Sequence, residues 1–116
     1  MKRKRILLNE PSFPNRADME EPLLRAIIDL GGSIDFSAQG RNLEVMLAKQ
    51  LGISDSDRDF SSPNYHSAGN RKWRNEIQFV RDQLVKKQQL ENPISRGRGR
   101  WTVTDAGYRR VGMPKP

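Results

Sequence analysis

The 116-residue sequence has no cysteine and a single histidine. The absence of cysteine excludes disulfide bonds and removes the usual ligands of structural zinc sites. No apolar run approaches the about 20 residues that a membrane-spanning helix needs, so we expect no membrane partner. The chain also lacks a Gly-x-Ser-x-Gly sequence and a phosphate-binding loop, which leaves no recognisable nucleophile–base pair. We therefore expect this chain to have no enzyme activity, no cofactor and no metal.

Apolar residues are also scarce, at 34%, whereas 30% of the residues are charged. The net charge of +7 is unevenly distributed along the chain. Residues 6–66 carry five Lys or Arg against ten Asp or Glu, whereas residues 67–116 carry twelve against four. A further four basic residues lie in the first five positions. Such a polarised molecule indicates a polyanionic partner, and nucleic acid is the obvious one.

Apolar periodicity and turn residues predict an α+β, mainly α, fold. The pattern favours a winged helix-turn-helix with three helices and a C-terminal β-hairpin wing, because a long basic helix is followed by two short strands. We expect residues 1–19 to form a flexible basic lead-in, residues 20–112 the DNA-binding domain and residues 113–116 a tail or linker. The predicted helices are residues 20–30, 42–51 and 70–89, and a short final turn or helix is predicted to start at residues 104–107. The predicted strands are residues 33–36, 90–94 and 100–103, and residues 53–69 are predicted to be a loop.

The third predicted helix is the candidate recognition element. Trp73, Ile77, Val80 and Leu84 form a continuous apolar seam, and Phe79 is expected to pack at its edge. Arginine reads guanine and asparagine or glutamine reads adenine in the major groove, which admits one α-helix. The residues that we expect to contact DNA from this helix are Asn70, Arg71, Lys72, Arg74, Asn75, Gln78 and Arg81.

Two other segments are candidates for contact with the DNA backbone. Arg96, Arg98 and Arg100 alternate with Gly97 and Gly99, which suits contact with phosphates or insertion into a narrow minor groove. Tyr65 and His66 precede the third helix and are expected near its positive N-terminal end, where they can bond phosphates. Trp73 and Trp101 can stack on bases, but their spacing favours core positions.

The C-terminal half resembles the N-terminal winged-helix domain of Mrr-type restriction endonucleases. The similarity is carried by the helix from Asn75 to Lys86, the Leu90-Glu91-Asn92-Pro93 step and the Arg98–Gly107 segment with its Gly-x-Trp-x-x-Thr-x-x-Gly pattern. Weaker similarity extends it to about residues 20–112. The chain departs from the family at Gln88, where a helix-ending glycine is usual, and at Phe79, where a tryptophan is usual.

The resemblance implies a specificity module of a DNA restriction system, one that can respond to modified bases, with the nuclease in a separate domain or chain. The expected partner is double-stranded DNA, methylated DNA included, and the expected location is the cytoplasm, on the nucleoid. Two rivals share parts of the pattern. An RNA-binding winged helix fits the charge, and a protein-interaction or dimerisation module fits the apolar seam.

Overall fold

The computed structural model describes residues 11–61, 71–92 and 99–116. This part of the chain is mainly helical with one small antiparallel sheet, in agreement with the predicted α+β class. It contains five helices, whereas three main helices and a short final turn or helix were predicted. The elements in order are α1 Arg16–Asp29, β1 Ser33–Asp35, α2 Phe36–Gln50, α3 Asp55–Arg58, α4 Lys72–Lys86, β2 Arg100–Thr102 and α5 Asp105–Arg110.

The sheet joins two strands that are distant in the sequence. β1 pairs with β2 in antiparallel register, with Ile34 opposite Trp101. Beside this pair, Leu90 forms an isolated antiparallel bridge with Val103, and the Glu91 N–H donates to the Thr102 carbonyl at 2.9 Å. Of the strand predicted for residues 90–94, the structure describes residues 90–92, and among these Leu90 makes the bridge.

α1 begins at Arg16, four residues before the predicted start. Pro22 would lie in the first turn of a helix that starts at residue 20, whereas it lies in the interior of the observed helix. Upstream of the predicted boundary at residue 20, Met19 is fully buried and the Phe13 ring lies 5.0 Å from that of Trp73. At the other end, Met113 packs against the core. The packed domain thus extends beyond both predicted boundaries, and residues 1–10 lie outside the described part.

α2 also begins earlier than predicted, at Phe36 instead of residue 42. Asp35 ends β1 and caps α2, because its carboxylate accepts a hydrogen bond from the Ser37 N–H at 3.1 Å. Gly40 lies within α2 under the Phe36 ring, where a Cβ atom would be 3.1 Å from ring carbons. Within the predicted loop 53–69, residues Asp55–Arg58 form α3, capped by the Ser54 hydroxyl.

The helices α1, α2, α4 and α5 end in the same way. Each has a residue with positive φ directly after its C-cap, and the N–H of the residue after that donates to the carbonyl five residues earlier in the chain, which is the Schellman arrangement. Glycine fills this position three times, as Gly31, Gly52 and Gly112. In α4 the position is filled by Gln88, with φ of 61°. The helix therefore ends at Lys86 without the glycine that this conformation favours.

The core seam of α4 is confirmed. Trp73, Ile77, Val80 and Leu84 are all fully buried, and they pack mainly against α1. Trp101 is buried as well, so both tryptophans belong to the core. Phe79 departs from the prediction, because 41% of this residue is exposed to solvent.

Candidate nucleic-acid interface

The structure describes seven of the twelve residues predicted to contact DNA. Arg71 is the N-cap of α4, and Lys72, Arg74, Asn75, Gln78 and Arg81 lie on the helix. Arg100 is the first residue of β2 and is exposed. Tyr65, His66, Asn70, Arg96 and Arg98 lie outside the described residues.

Two of the predicted DNA-contacting arginines are bound to a buried carboxylate. The side chain of Glu44 on α2 has no exposed surface. Its Oε1 atom accepts hydrogen bonds from Nε and Nη2 of Arg71 at 3.0 and 2.8 Å, and its Oε2 atom accepts one from Nε of Arg74. The backbone carbonyl of Glu44 accepts a further bond from Trp73 Nε1 at 3.0 Å. Glu44 therefore fixes the first turn of α4 against α2.

The ion pairs continue from Glu44 towards α3. Arg41 lies 3.5 Å from Oε1 of Glu44 and donates to Asp59 at 3.0 Å. Asp59 also accepts two hydrogen bonds from Arg58, and with the bonds from Arg58 and Arg41 the pKa of the Asp59 carboxyl is held well below its usual range. Opposite charges thus alternate across α3, α2 and α4, which orients the arginines without leaving the buried carboxylate unpaired.

Two arginines of α4 lie over a pair of stacked aromatic rings. The rings of Phe36 and Trp101 have centroids 4.2 Å apart and are inclined by only 8°. The guanidinium of Arg74 is 5.0 Å from the Phe36 centroid, and that of Arg81 is 5.2 Å from the Trp101 centroid. Both guanidinium groups are therefore held by cation–π contacts on the side of α4 that faces the sheet. The indole N–H of Trp101 is buried and has no hydrogen-bond partner among residues 11–61, 71–92 and 99–116.

Asn75 and Gln78 differ from these arginines. Both are partly exposed, and their side-chain amides make no hydrogen bond within the described part of the chain. At 100° per residue, both lie on the side of α4 opposite the buried seam. They are therefore available to bind an external donor–acceptor pair.

Arg100 extends the candidate surface to the sheet. In the register of the sheet it lies opposite Asp35. The pKa of the Asp35 carboxyl is lowered by its hydrogen bonds with Ser37 and, to a smaller extent, by the charge of Arg100. The Gly99 carbonyl accepts the Phe36 N–H at 2.7 Å, which brings the chain that follows residue 98 back beside the start of α2.

A second cluster of charges lies around Glu20 in α1. This carboxylate is buried and accepts hydrogen bonds from Lys87 at 2.8 Å and from Arg110 at 2.6 Å. Burial alone would raise the pKa of Glu20, but the hydrogen bonds and charges of the two basic partners outweigh it and lower the pKa. Lys87 and Arg110, two of the twelve basic residues of the second half, thus join α1 to α5 and the end of α4.

Glu44 and Phe79 are the residues whose roles the sequence analysis missed. Glu44 has a recognisable signal, since it stands among Leu43, Leu47 and Ala48 on the apolar face of α2, where a carboxylate requires a cationic partner. Phe79 stands at the margin of the seam, where periodicity alone does not separate a buried ring from an exposed one.

Comparison with known proteins identifies no relatives. No protein family, curated protein or solved structure matches the chain. Among residues 11–61, 71–92 and 99–116 there is no group of three or more His, Cys, Asp or Glu side chains that could hold a metal ion. In the same residues, no helix has the length and apolar character required to cross a bilayer.

Proposed function

We propose that this protein binds double-stranded DNA as a winged helix, with α4 in the major groove. The observation that carries the proposal is the outward side of α4, where the amides of Asn75 and Gln78 have no hydrogen bond within the described chain. Amide side chains pair with the N6 and N7 atoms of adenine, and a major groove accommodates one helix. Arg71, Lys72 and Arg74 lie at the N-terminal end of the same helix, which is also the positive end of its dipole.

The topology supports the winged-helix part of the proposal. The order of α1, β1, α2 and α4, followed by a strand β2 that pairs with β1, is compatible with a winged helix-turn-helix. Leu90 forms a bridge with Val103, and β2 starts at Arg100, which fits a hairpin wing between these two points; residues 93–98 lie outside the described part. Arg96 and Arg98 lie between these two points in the sequence.

The hydrogen bonds of Glu44 refine the expected roles of the arginines. A guanidinium reads guanine with two parallel donors, but Glu44 already occupies Nε and Nη2 of Arg71 and Nε of Arg74. These two arginines are therefore assigned to phosphates. In the same proposal Asn75 and Gln78 read bases, and Arg81, which is held by Asp82 and Trp101, contributes charge.

Tyr65 and His66 lie outside the described residues, but Phe60 and Lys72, on either side of them in the sequence, are joined by a hydrogen bond from the Lys72 N–H to the Phe60 carbonyl at 3.1 Å. This proximity supports, for both residues, the predicted contact with phosphates near the start of α4. The restriction-system role, the response to modified bases and the nucleoid location depend only on the sequence resemblance, and they stay predictions.

Competition binding tests the proposal against its two rivals. A labelled duplex library is bound to the protein and displaced with unlabelled duplex DNA or structured RNA of equal length, while light scattering reports self-association. We expect duplex DNA to compete better than RNA, and Asn75→Ala to change the set of bound sequences. Stronger competition by RNA supports an RNA-binding module instead. Self-association without any nucleic-acid binding supports a protein-interaction module.

A further inference from the structure

Phe79 is an exposed aromatic residue on the polar side of α4. It and Val45 of α2 are the two large apolar residues that stay exposed in the described part of the chain, at 41% and 36%. A polar side chain could replace a ring that contacts only solvent. Whether Phe79 belongs to a binding site is therefore judged from the side chains that surround it.

The Phe79 ring is held in place by charged side chains. The guanidinium of Arg16 lies 4.1 Å from the ring centroid. Arg16 in turn donates from Nε and Nη2 to the two carboxylate oxygens of Glu76, both at 3.0 Å. A two-point pair of this kind fixes the plane of the guanidinium, so the ring packs against a rigid partner. Phe79 is thus an exposed but positioned apolar group.

Phe79 also lies beside Asn75, one of the two amides of α4 that have no hydrogen bond within the described part of the chain. It follows Asn75 by four residues, a separation that brings side chains together on a helix surface, whereas Gln78 lies about 100° from Phe79 around the helix axis, on the other side of Asn75. The outward side of the helix therefore presents two amides and one apolar edge within about two turns.

This combination matches one edge of an A·T base pair. An amide bonds N6 and N7 of adenine, and the paired thymine presents a 5-methyl group in the same groove, where apolar side chains contact it. We propose that Phe79 packs against the 5-methyl group of a pyrimidine while Asn75 or Gln78 binds the neighbouring purine. The inference rests on the proposed DNA-binding function and assigns part of its specificity to a methyl contact.

The methyl group can be carried by thymine or by 5-methylcytosine, and synthetic duplexes separate the two sources. Two random-sequence libraries differ only in containing thymine or uracil, and uracil lacks the methyl group. Two further libraries differ only in containing cytosine or 5-methylcytosine, and 5-methylcytosine carries the additional methyl group. The wild-type protein, Phe79→Ala and Phe79→Leu are compared with Val45→Ala, which removes the other exposed apolar side chain from a different helix.

We expect the wild-type protein to lose about fourfold in affinity when the contacted methyl group is absent, the size of effect that burial of one such group produces. Phe79→Ala should bind methylated and unmethylated duplexes equally, whereas Phe79→Leu and Val45→Ala should keep the preference. A preference for thymine over uracil assigns the contact to thymine, and a preference only for 5-methylcytosine over cytosine assigns it to that base.

Equal binding of all four libraries by the wild-type protein would overturn the methyl contact and leave DNA binding intact. A preference for methylated duplexes that persists in Phe79→Ala would overturn the methyl contact as well. The same holds if Phe79→Ala loses self-association but keeps the methyl preference. Failure to bind any duplex would instead contradict the proposed function itself, so the two failures are distinguishable.

Discussion

The carboxylate of Glu44 accepts hydrogen bonds from both Arg71 and Arg74, although the two arginines had been expected to point towards DNA. A fully buried carboxylate is tolerated only when cations neutralise it. Here the cations are at the start of α4, which is 27 to 30 residues further along the chain. The start of α4 is therefore set by an ion-pair cluster as well as by its apolar seam.

Glu44→Gln should destabilise the fold by about 2–3 kcal/mol. The neutral amide keeps the shape of the side chain but loses charge-assisted hydrogen bonds to Arg71 and Arg74. The free energy of unfolding is measured by urea denaturation. Glu21→Gln is the matched control, because Glu21 is half-exposed and 3.9 Å from its partner Arg110; it should change stability by less than about 0.5 kcal/mol. Equal effects of the two substitutions would refute the special role of Glu44.

Gln88→Gly should stabilise the protein by about 1 kcal/mol. Gln88 has φ of 61°, which costs an L-residue with a Cβ atom about 1–2 kcal/mol, and glycine avoids that cost at the expense of some chain entropy. The midpoint of thermal unfolding is the measurement. Lys86→Gly, at the exposed last residue of the helix, gains no such relief and should destabilise. A lower midpoint for Gln88→Gly than for the wild type would contradict the account of this helix end.

Acid should weaken the protein partly through Glu20. Because its pKa is lower in the folded state than its ordinary value of 4.5, Glu20 stabilises the fold at pH values above about 4.5. That contribution is lost as the pH falls through the lower, folded-state pKa. Urea denaturation at a series of pH values should give Glu20→Gln a flatter acid limb than the wild type. Parallel acid limbs for the two proteins would contradict the linkage.

Two kinds of DNA contact should respond differently to substitution. Arg100→Ala should weaken binding to all sequences about equally and reduce the salt slope by about 1, because it removes one phosphate contact. Gln78→Ala should instead change the preferred sequence, with losses of about 1–3 kcal/mol on the best sites only. Selection of bound duplexes from a random pool, followed by titration, separates the two patterns. Uniform losses from both variants would contradict the division between backbone and base contacts.

The sequence predicts features that recur with the helical period, such as a buried apolar seam. It does not predict ion pairs between residues that are distant in the chain. The buried seam of α4 follows from spacing alone, and the positive φ at Gly31 and Gly52 follows from glycine after an apolar stripe. The predicted start of α1 is four residues too late, because Pro22 is tolerated inside the helix. Glu44 escapes notice because its partners lie 27 and 30 residues away and only the packing of α2 on α4 joins them.

The proposal that the chain binds duplex DNA through its basic residues in 67–116 is tested most directly by the salt dependence of binding. Fluorescence anisotropy of a labelled duplex is measured at a series of salt concentrations. If about six phosphates are neutralised, log K should fall against log salt with a slope of about −5. Binding that is indifferent to salt, or the absence of duplex binding at low salt, would contradict the account.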